Sequence, residues 1–561
     1  FSYTYDSHKR ILSRDSSQGS SYTYQYYPNP FGLDTVTTND GRSIKYTYDG
    51  LGRTTSVTIA GNGANNTITY GNYDLLNRAK DITDPNGVTT HYEYDKTRVS
   101  TVTADGKTVT YAYYSDGNLK SITYPGGSVR TEYTYDNLDR VRSVTNYRNQ
   151  EVLSRYEYDY DNNGNITTVS EQLGSEPPRI SNYQYDELDR LKTISRPNGR
   201  TLTYIYNARG DRTVAEGYVP QLDKTDADYT FNEWNQLTRV VRNGETITFQ
   251  YDASGLRSQK TSSAGTRRYI YEPGGRLLAE KDASNQMVAS FIWGPDRLLF
   301  RKNADGQVYY YLYNGHGDVV QMVDAAGSIV NQYRYDEWGR ITEQTETVPN
   351  EFKYAGETYD AETGLYYLRA RYYDPDTGRF ISKDSMEGDL WNPLSQNLYT
   401  YCENNPIVYV DPSGQYMVGD ALLGMSKADW NAIGRLGEQW QAAKKAGNTA
   451  LMQLYHDQAN EIRFKYTEVV TRINYSTGKS EIIGRGVHCP VDPSPTDLIA
   501  GLLSGPILGI AKSAISSGSK IVISQGAGNL GRVAVETPYG KAVQEASEAA
   551  LNARQTVAQG G

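Results

Sequence analysis

One pattern recurs along most of the chain: an aromatic residue, a spacer, a tyrosine, then an aspartate. It reads Tyr3-Thr-Tyr5-Asp6, Tyr46-Thr-Tyr48-Asp49, Tyr92-Glu-Tyr94-Asp95, Tyr133-Thr-Tyr135-Asp136, Tyr156-Glu-Tyr158-Asp159, Tyr183-Gln-Tyr185-Asp186 and Tyr333-Arg-Tyr335-Asp336. Looser copies such as Tyr204-Ile-Tyr206-Asn207, Phe249-Gln-Tyr251-Asp252 and Tyr311-Leu-Tyr313-Asn314 fill the gaps. Where copies are close the period is about 20 to 25 residues, the range of a repeat architecture. Strand side chains alternate faces, so the two aromatics share one face and the spacer takes the other. The aspartate then opens a turn, as in Asp49-Gly50-Leu51-Gly52-Arg53 and Asp136-Asn137-Leu138-Asp139-Arg140, with Gly, Asn or Asp available for positive φ. A β-branched run such as Thr54 to Ile59 leads away. Each repeat therefore predicts a β-hairpin. Hairpins are marginal alone but stable when laid side by side in one antiparallel sheet.

Composition narrows the class further. The 561 residues include 51 Tyr against 9 Phe and 6 Trp, with 52 Gly and 37% apolar residues. This excludes a membrane protein, a coiled coil and a Leu-rich helical bundle, and the abundant aromatics argue against disorder. A long sheet twists and must coil or close. With tyrosine on its inner face, the expectation is an all-β, hollow shell whose hydroxyls are hydrogen-bonded or wetted. The net charge of -9 supplies no footprint for nucleic acid. Cys402 and Cys489 are too few for a disulfide framework, and no cofactor is expected.

The repeated Tyr-x-Tyr-Asp-x-x-Gly-Arg resembles the YD, or Rhs, repeats of bacterial polymorphic toxins, wall-associated proteins, toxin-complex C components and teneurins, over about residues 1–414. Within it, residues 305–414 resemble the Rhs-associated core domain. The stretches that carry the likeness are Asn314 to Val320, Tyr335 to Arg340, Gly364 to Pro375, Gly378 to Asp384, Asn397 to Tyr401, Asn404 to Pro406, and Asp411-Pro412-Ser413-Gly414. The resemblance implies a plug that closes one end of the shell and cuts the chain after an Asp-Pro-x-Gly-Leu motif. It places two aspartates and an arginine at the cut. Matched by motif, these are Asp384, Asp411 and Arg371, and the scissile bond joins Gln415 to Tyr416. Two close carboxylates can share a proton and supply one acid and one base, while an arginine orients one or stabilises an oxyanion. This chain has Ser385 and Gln415 where the family pattern has Pro and Leu, and a lengthened loop from Met386 to Gln396. The alternative is that both aspartates only cap turns, for which Asp-Pro and Asp-x-x-Gly are well suited.

Beyond Gly414 the composition changes. Only Tyr416, Tyr455, Tyr466, Tyr475 and Tyr539 lie there. The expected division is a repeat shell over 1–304, the core domain over 305–414, and a variable toxin or pre-toxin region over 415–561. The last is mostly α-helical and truncated, in a chain that itself reads as a fragment. Ser426-Lys427-Ala428-Asp429 predicts a helix ending at Gly447, with a second after Asn448. Glu468 to Tyr475 and Ser480 to Ile483 predict a hairpin. The apolar run 498–511 is shorter than the roughly 20 residues a membrane helix needs and reads as a buried helix.

Several motifs fall short. His488-Cys489 lacks the further ligands of a zinc site, and no metal is expected. Gly526-Ala-Gly528-Asn-Leu-Gly531 is followed by a β-branched run instead of the helix a dinucleotide site requires. Asp159 to Gly164 begins like a calcium loop but has Ser170 in its twelfth place, so it reads as a repeat turn.

The functional expectation is a secreted or surface-delivered shell that encapsulates its own C-terminal toxin segment for delivery into competitor or host cells. Its partners would be that segment, an immunity protein and a secretion or delivery apparatus. The only enzymatic activity expected is self-cleavage, since no toxin active site is visible. The alternative is a surface adhesin whose tyrosines stack on cell-surface carbohydrate.

Overall fold

The computed structural model describes residues 1–415 apart from 9, 28–31, 62, 97, 208–209, 217–226 and 386–392. Beyond these it describes the strands Val418–Gly419, Thr467–Asn474, Lys479–Val487, Lys520–Ser524 and Arg532–Glu536. The expected helices after Ser426 and the apolar run 498–511 lie outside the described residues. Two units are distinguished: one holds residues 1–95 and 99–430, the other most of residues 431–561. In the second, Thr467–Asn474 pairs antiparallel with Lys479–Val487, the expected hairpin. Lys520–Ser524 pairs with Arg532–Glu536, so the glycine-rich segment between them leads into a strand.

In the first unit each repeat is a hairpin, and within each of the two large sheets every strand pairs with the next in sequence. This produces one 20-stranded antiparallel sheet from Ser2–Tyr5 to Arg212–Glu216 and a 12-stranded one from Asp228–Phe231 to Ile341–Glu346. The second runs unbroken across residues 304 and 305. The turn is built as its residues dictate. At Asp136 one carboxylate oxygen accepts from the amides of Leu138 (2.8 Å) and Arg140 (3.1 Å), and the other from Arg140 Nε at 2.7 Å. Asp139 takes φ +61° to close it. Asp49, Asp74 and Asp186 repeat the same three bonds. Asp161 caps its turn through Asn163 and Asn165, which makes the calcium-loop look-alike a repeat turn.

What the sequence does not announce is a bulge at the second aromatic of the repeat. The ladder slips between Thr47 and Tyr48, Thr134 and Tyr135, Gln184 and Tyr185, and Arg334 and Tyr335. A bulge twists the strand and re-aims a side chain. Here it aims the hydroxyl at the preceding hairpin: Tyr48 donates to Leu33 O (2.8 Å), Tyr135 to Leu119 O (2.9 Å), Tyr185 to Ile166 O (2.7 Å) and Tyr335 to Val319 O (2.7 Å). Trp293 uses its indole N–H on Leu277 O in the same way. The turn arginine then covers the next repeat's tyrosine, with Arg140 4.4 Å from the Tyr160 ring centre and Arg190 4.5 Å from that of Tyr206.

The first aromatic of many pairs is buried, as are Tyr46, Tyr92, Tyr133 and Tyr204, whereas Tyr3 is exposed and Tyr183 half-buried. Between residues 92–173 and 292–323 the inner faces of the two sheets meet side chain to side chain in one apolar cluster. Tyr92 donates to Trp293 O (2.9 Å) and Tyr124 to Tyr311 O (2.6 Å), so these hydroxyls are satisfied by backbone of the facing sheet. This stretch of the interior is packed.

Replacing Asp136 with Ala removes three turn bonds while leaving the strands intact. We expect a loss of about 1–2 kcal/mol, seen as a lower denaturant midpoint, with hydrogen exchange accelerated first in the Tyr133–Val141 hairpin.

Candidate self-cleavage site

After the second sheet the chain folds into a four-stranded meander: Thr358–Asp360, Leu365–Leu368, Arg371–Asp374 and Arg379–Phe380. Buried tyrosines hold it to the last repeat. Tyr366 donates to Gly339 O and Tyr373 to Trp338 O, each at 2.8 Å. A buried ion cluster also ties it to the second sheet. Arg257 pairs with Asp360, both without exposed side-chain surface, and Lys260 lies 3.1 Å from the same carboxylate. Such charges are tolerated in the interior only when paired.

The segment leading to Asp411 is anchored to both large sheets. Asn404 Nδ2 donates to Gly210 O (2.9 Å), and Asn405 Nδ2 to Asn165 Oδ1 and Asp189 O, both 3.0 Å. From the second sheet, His316 sits between Asp318 (2.8 Å) and the carbonyl of Tyr409 (3.4 Å). Both partners are acceptors, an arrangement that favours the doubly protonated ring; burial lowers the imidazole pKa, but the Asp318 carboxylate outweighs it and the net shift is upward. Tyr409–Val410 then pairs antiparallel with Val418–Gly419, and Asp411–Gln415 form the turn that follows the first of these strands.

Arg371, Asp384 and Asp411, more than 10 residues apart in each case, meet at this loop. Arg371 Nη2 is 2.7 Å from Asp384 Oδ2 and 3.6 Å from Asp411 Oδ2. Its Nη1 donates to Leu398 O (2.9 Å), its Nε donates to Gly414 O, and its guanidinium lies 3.6 Å from the Phe380 ring centre. Asp384 is fixed through its amide, which donates to Leu398 O at 3.0 Å. Asp411 accepts from Ser413 Oγ (3.0 Å) and from the amide of Gln415 (3.1 Å). Burial pushes its carboxyl up to about 7, and the nearby Asp384 charge adds to this against the pull of Arg371 and the two hydrogen bonds. Pro412 comes next in the turn, and Gly414 takes φ +70° where a Cβ would stand 2.4 Å from Leu368 O. Only glycine fits there.

The loop therefore both caps a turn and assembles two carboxylates on one guanidinium. Gln415 is held by two bonds to its amide and by its side chain, which donates to Ser385 Oγ at 2.9 Å. The two residues that depart from the family pattern thus contact each other. Tyr416 lies outside the described residues, as does most of the lengthened loop. Sequence reasoning missed Arg369 and Glu357, an ion pair beside the loop. The paired arginines of Leu368-Arg369-Ala370-Arg371 are the signal that both side chains serve the same turn. Among the described residues, no group of three or more His, Cys, Asp or Glu is placed to hold a metal ion.

This geometry belongs to a class of protein in which a meander of tyrosine hairpins ends in a compact, loop-presenting domain. The Teneurin YD-shell family matches residues 128–407, and the RHS Repeat family matches residues 73–108. The chain belongs to the Rhs/YD-repeat family. The tRNA nuclease WapA of Bacillus subtilis strain 168 is 33% identical over 294 residues, which is 50% of this chain and 12% of WapA. Toxin subunit YenC1 of Yersinia entomophaga is 27% identical over 267 residues, 39% of this chain and 26% of that protein. The Photorhabdus luminescens Tc holotoxin pore structure superposes with a TM-score of 0.55 at 19% identity, covering 73% of this chain and 27% of that one. The chain thus spans about an eighth of WapA and about a quarter of the two toxin-complex proteins.

Gly414→Ala should drive the loop off the Leu368–Arg371 turn. Limited proteolysis is expected to open a site between residues 409 and 415 that the parent chain protects, while the large sheets keep their exchange protection.

Proposed function

We propose that this chain is the shell and self-cleaving closure of a toxin-delivery protein. The shell over 1–304 and its closing domain over 305–414 would retain the polypeptide from 415 onward as cargo. The observation that carries the proposal is the convergence of Asp384 and Asp411 on Arg371 in the loop that ends at Gln415. A pair of inequivalent carboxylates can divide acid and base roles. Asp411, pushed up to about 7, retains a proton near neutrality and is the acid. Asp384, in direct contact with the guanidinium, is the base. A water gives its proton to Asp384 as its oxygen adds to the Gln415 carbonyl carbon. The bond to Tyr416 breaks as the Asp411 proton passes to the leaving nitrogen, and Arg371 offsets the charge that accumulates.

The similarity to WapA, YenC1 and the Tc holotoxin pore supports a secreted or surface-delivered protein that acts on other cells. The remaining partners in this reading are an immunity protein and a secretion or delivery apparatus. The adhesin reading has less support, because outside the exposed Tyr3 and Tyr5 many pattern tyrosines are occupied: first aromatics such as Tyr133 are buried and second ones such as Tyr135 are bonded to backbone.

Asp384→Asn and Asp411→Asn should each leave a single full-length band on a denaturing gel where the parent chain gives two. Two bands from either variant at the parent rate would sink the catalytic assignment. Because the acid must be protonated, the first-order cleavage rate should fall as pH rises above about 7, tenfold per unit, as Asp411 ionises.

A further inference from the structure

The turn between Leu365–Leu368 and Arg371–Asp374 grips the Asp411–Gln415 loop at three consecutive carbonyls. Arg369 Nη1 donates to Pro412 O (2.6 Å), the Ala370 amide to Ser413 O (3.1 Å), and Arg371 Nε to Gly414 O. Three successive residues thus hold three successive carbonyls, which fixes the loop in one register. Of these, only Arg371 also touches the carboxylates.

Arg369 differs from its neighbours in three ways. Its backbone is left-handed, φ +54°, a conformation a residue with a long side chain seldom adopts. Its half-buried guanidinium is paired with the buried carboxylate of Glu357 through the same Nη1 that holds Pro412. Its Nε donates to Gly275 O (3.2 Å), in a repeat turn of the second sheet. One planar fork therefore connects the repeat sheet, the core meander and the loop, and a lysine, with a single point of charge, cannot reproduce these directions.

Resting on the self-cleavage reading above, we propose that Arg369 is a positioning residue for that reaction. It registers the Pro412–Gln415 loop against the Arg371 turn, with Glu357 holding the guanidinium in place, so that the bond after Gln415 is presented to Asp384 and Asp411. Arg369 contacts neither carboxylate, so its effect is on where and how often the bond is presented, and the protonation of Asp411 is left alone.

The test uses the full chain. Arg369→Ala should slow the first-order cleavage at least tenfold while keeping the parent's pH midpoint. Millimolar guanidinium should restore much of the rate in this variant and leave the parent unchanged, which a general loss of packing would not allow. Arg369→Lys should remain slow. In the Asp384→Asn background, where cutting is abolished, Arg369→Ala should accelerate hydrogen exchange at the Ala370 and Gln415 amides while the Tyr133–Val141 hairpin stays protected. Cleavage of Arg369→Ala at the parent rate overturns the positioning role and leaves the cleavage reading standing. A parent chain that never cleaves overturns both. Unchanged exchange at Ala370 and Gln415 refutes the clamp whatever the cleavage result.

Discussion

The hydroxyl of the second aromatic in most repeats, bonded to a carbonyl of the hairpin before it as at Tyr48, Tyr135, Tyr185 and Tyr335, is the interaction on which this structure depends. The strands it joins are already ladder partners; the bond extends that pairing beyond its last paired residues, from Tyr135 to Leu119 past Ser121–Glu132 and from Tyr185 to Ile166 past Thr168–Asn182. It stitches one hairpin to the last at a fixed offset. The bulge makes it possible by turning the ring out of strict alternation, and the aspartate turn presents the arginine that covers the next ring. Four residues per repeat thus specify the turn, the twist and the junction to a neighbour. That is why the pattern tolerates free variation between its fixed points, and why phenylalanine is an imperfect substitute at the second position.

The same interaction adapts where the sheets end. In the core meander the tyrosines no longer bond the preceding hairpin of their own sheet. Tyr366 and Tyr373 reach back to Gly339 and Trp338 of the last repeat turn, and Gly339 has no room for a Cβ because the Tyr354 ring lies 2.5 Å from where it would stand. Residues 404–411 are pinned to turn backbone of the first sheet at Asp189 and Gly210 and to His316 of the second. The loop that carries Asp411 is consequently positioned by two sheets at once. A carboxyl held there cannot move to water, which is the origin of its raised pKa and of the proposed division between acid and base.

How much of this was legible in the sequence depends on range. The hairpins and their turns were readable because all their determinants lie within about six residues, as in Asp136 to Arg140. The bulge was not, since an x-Tyr step reads the same with or without a slipped register. Contacts such as Tyr124 with Tyr311, or Arg257 with Asp360, join residues more than 100 positions apart and have no local signature. At the site, Arg371, Asp384 and Asp411 were named through resemblance, and their convergence could not have been derived from spacing alone. Arg369 was passed over because its partners, Glu357, Pro412 and Gly275, come from three separate segments.

The central claim is that a loop held by both sheets is cut after Gln415 while its downstream chain is retained. Intact mass spectrometry of the freshly purified chain, before and after denaturation, addresses this directly. The account predicts one particle under native conditions that separates on denaturation into a fragment ending at Gln415 and another beginning at Tyr416. A single denatured species at the full 62.8 kDa, stable over days near neutral pH, would contradict it.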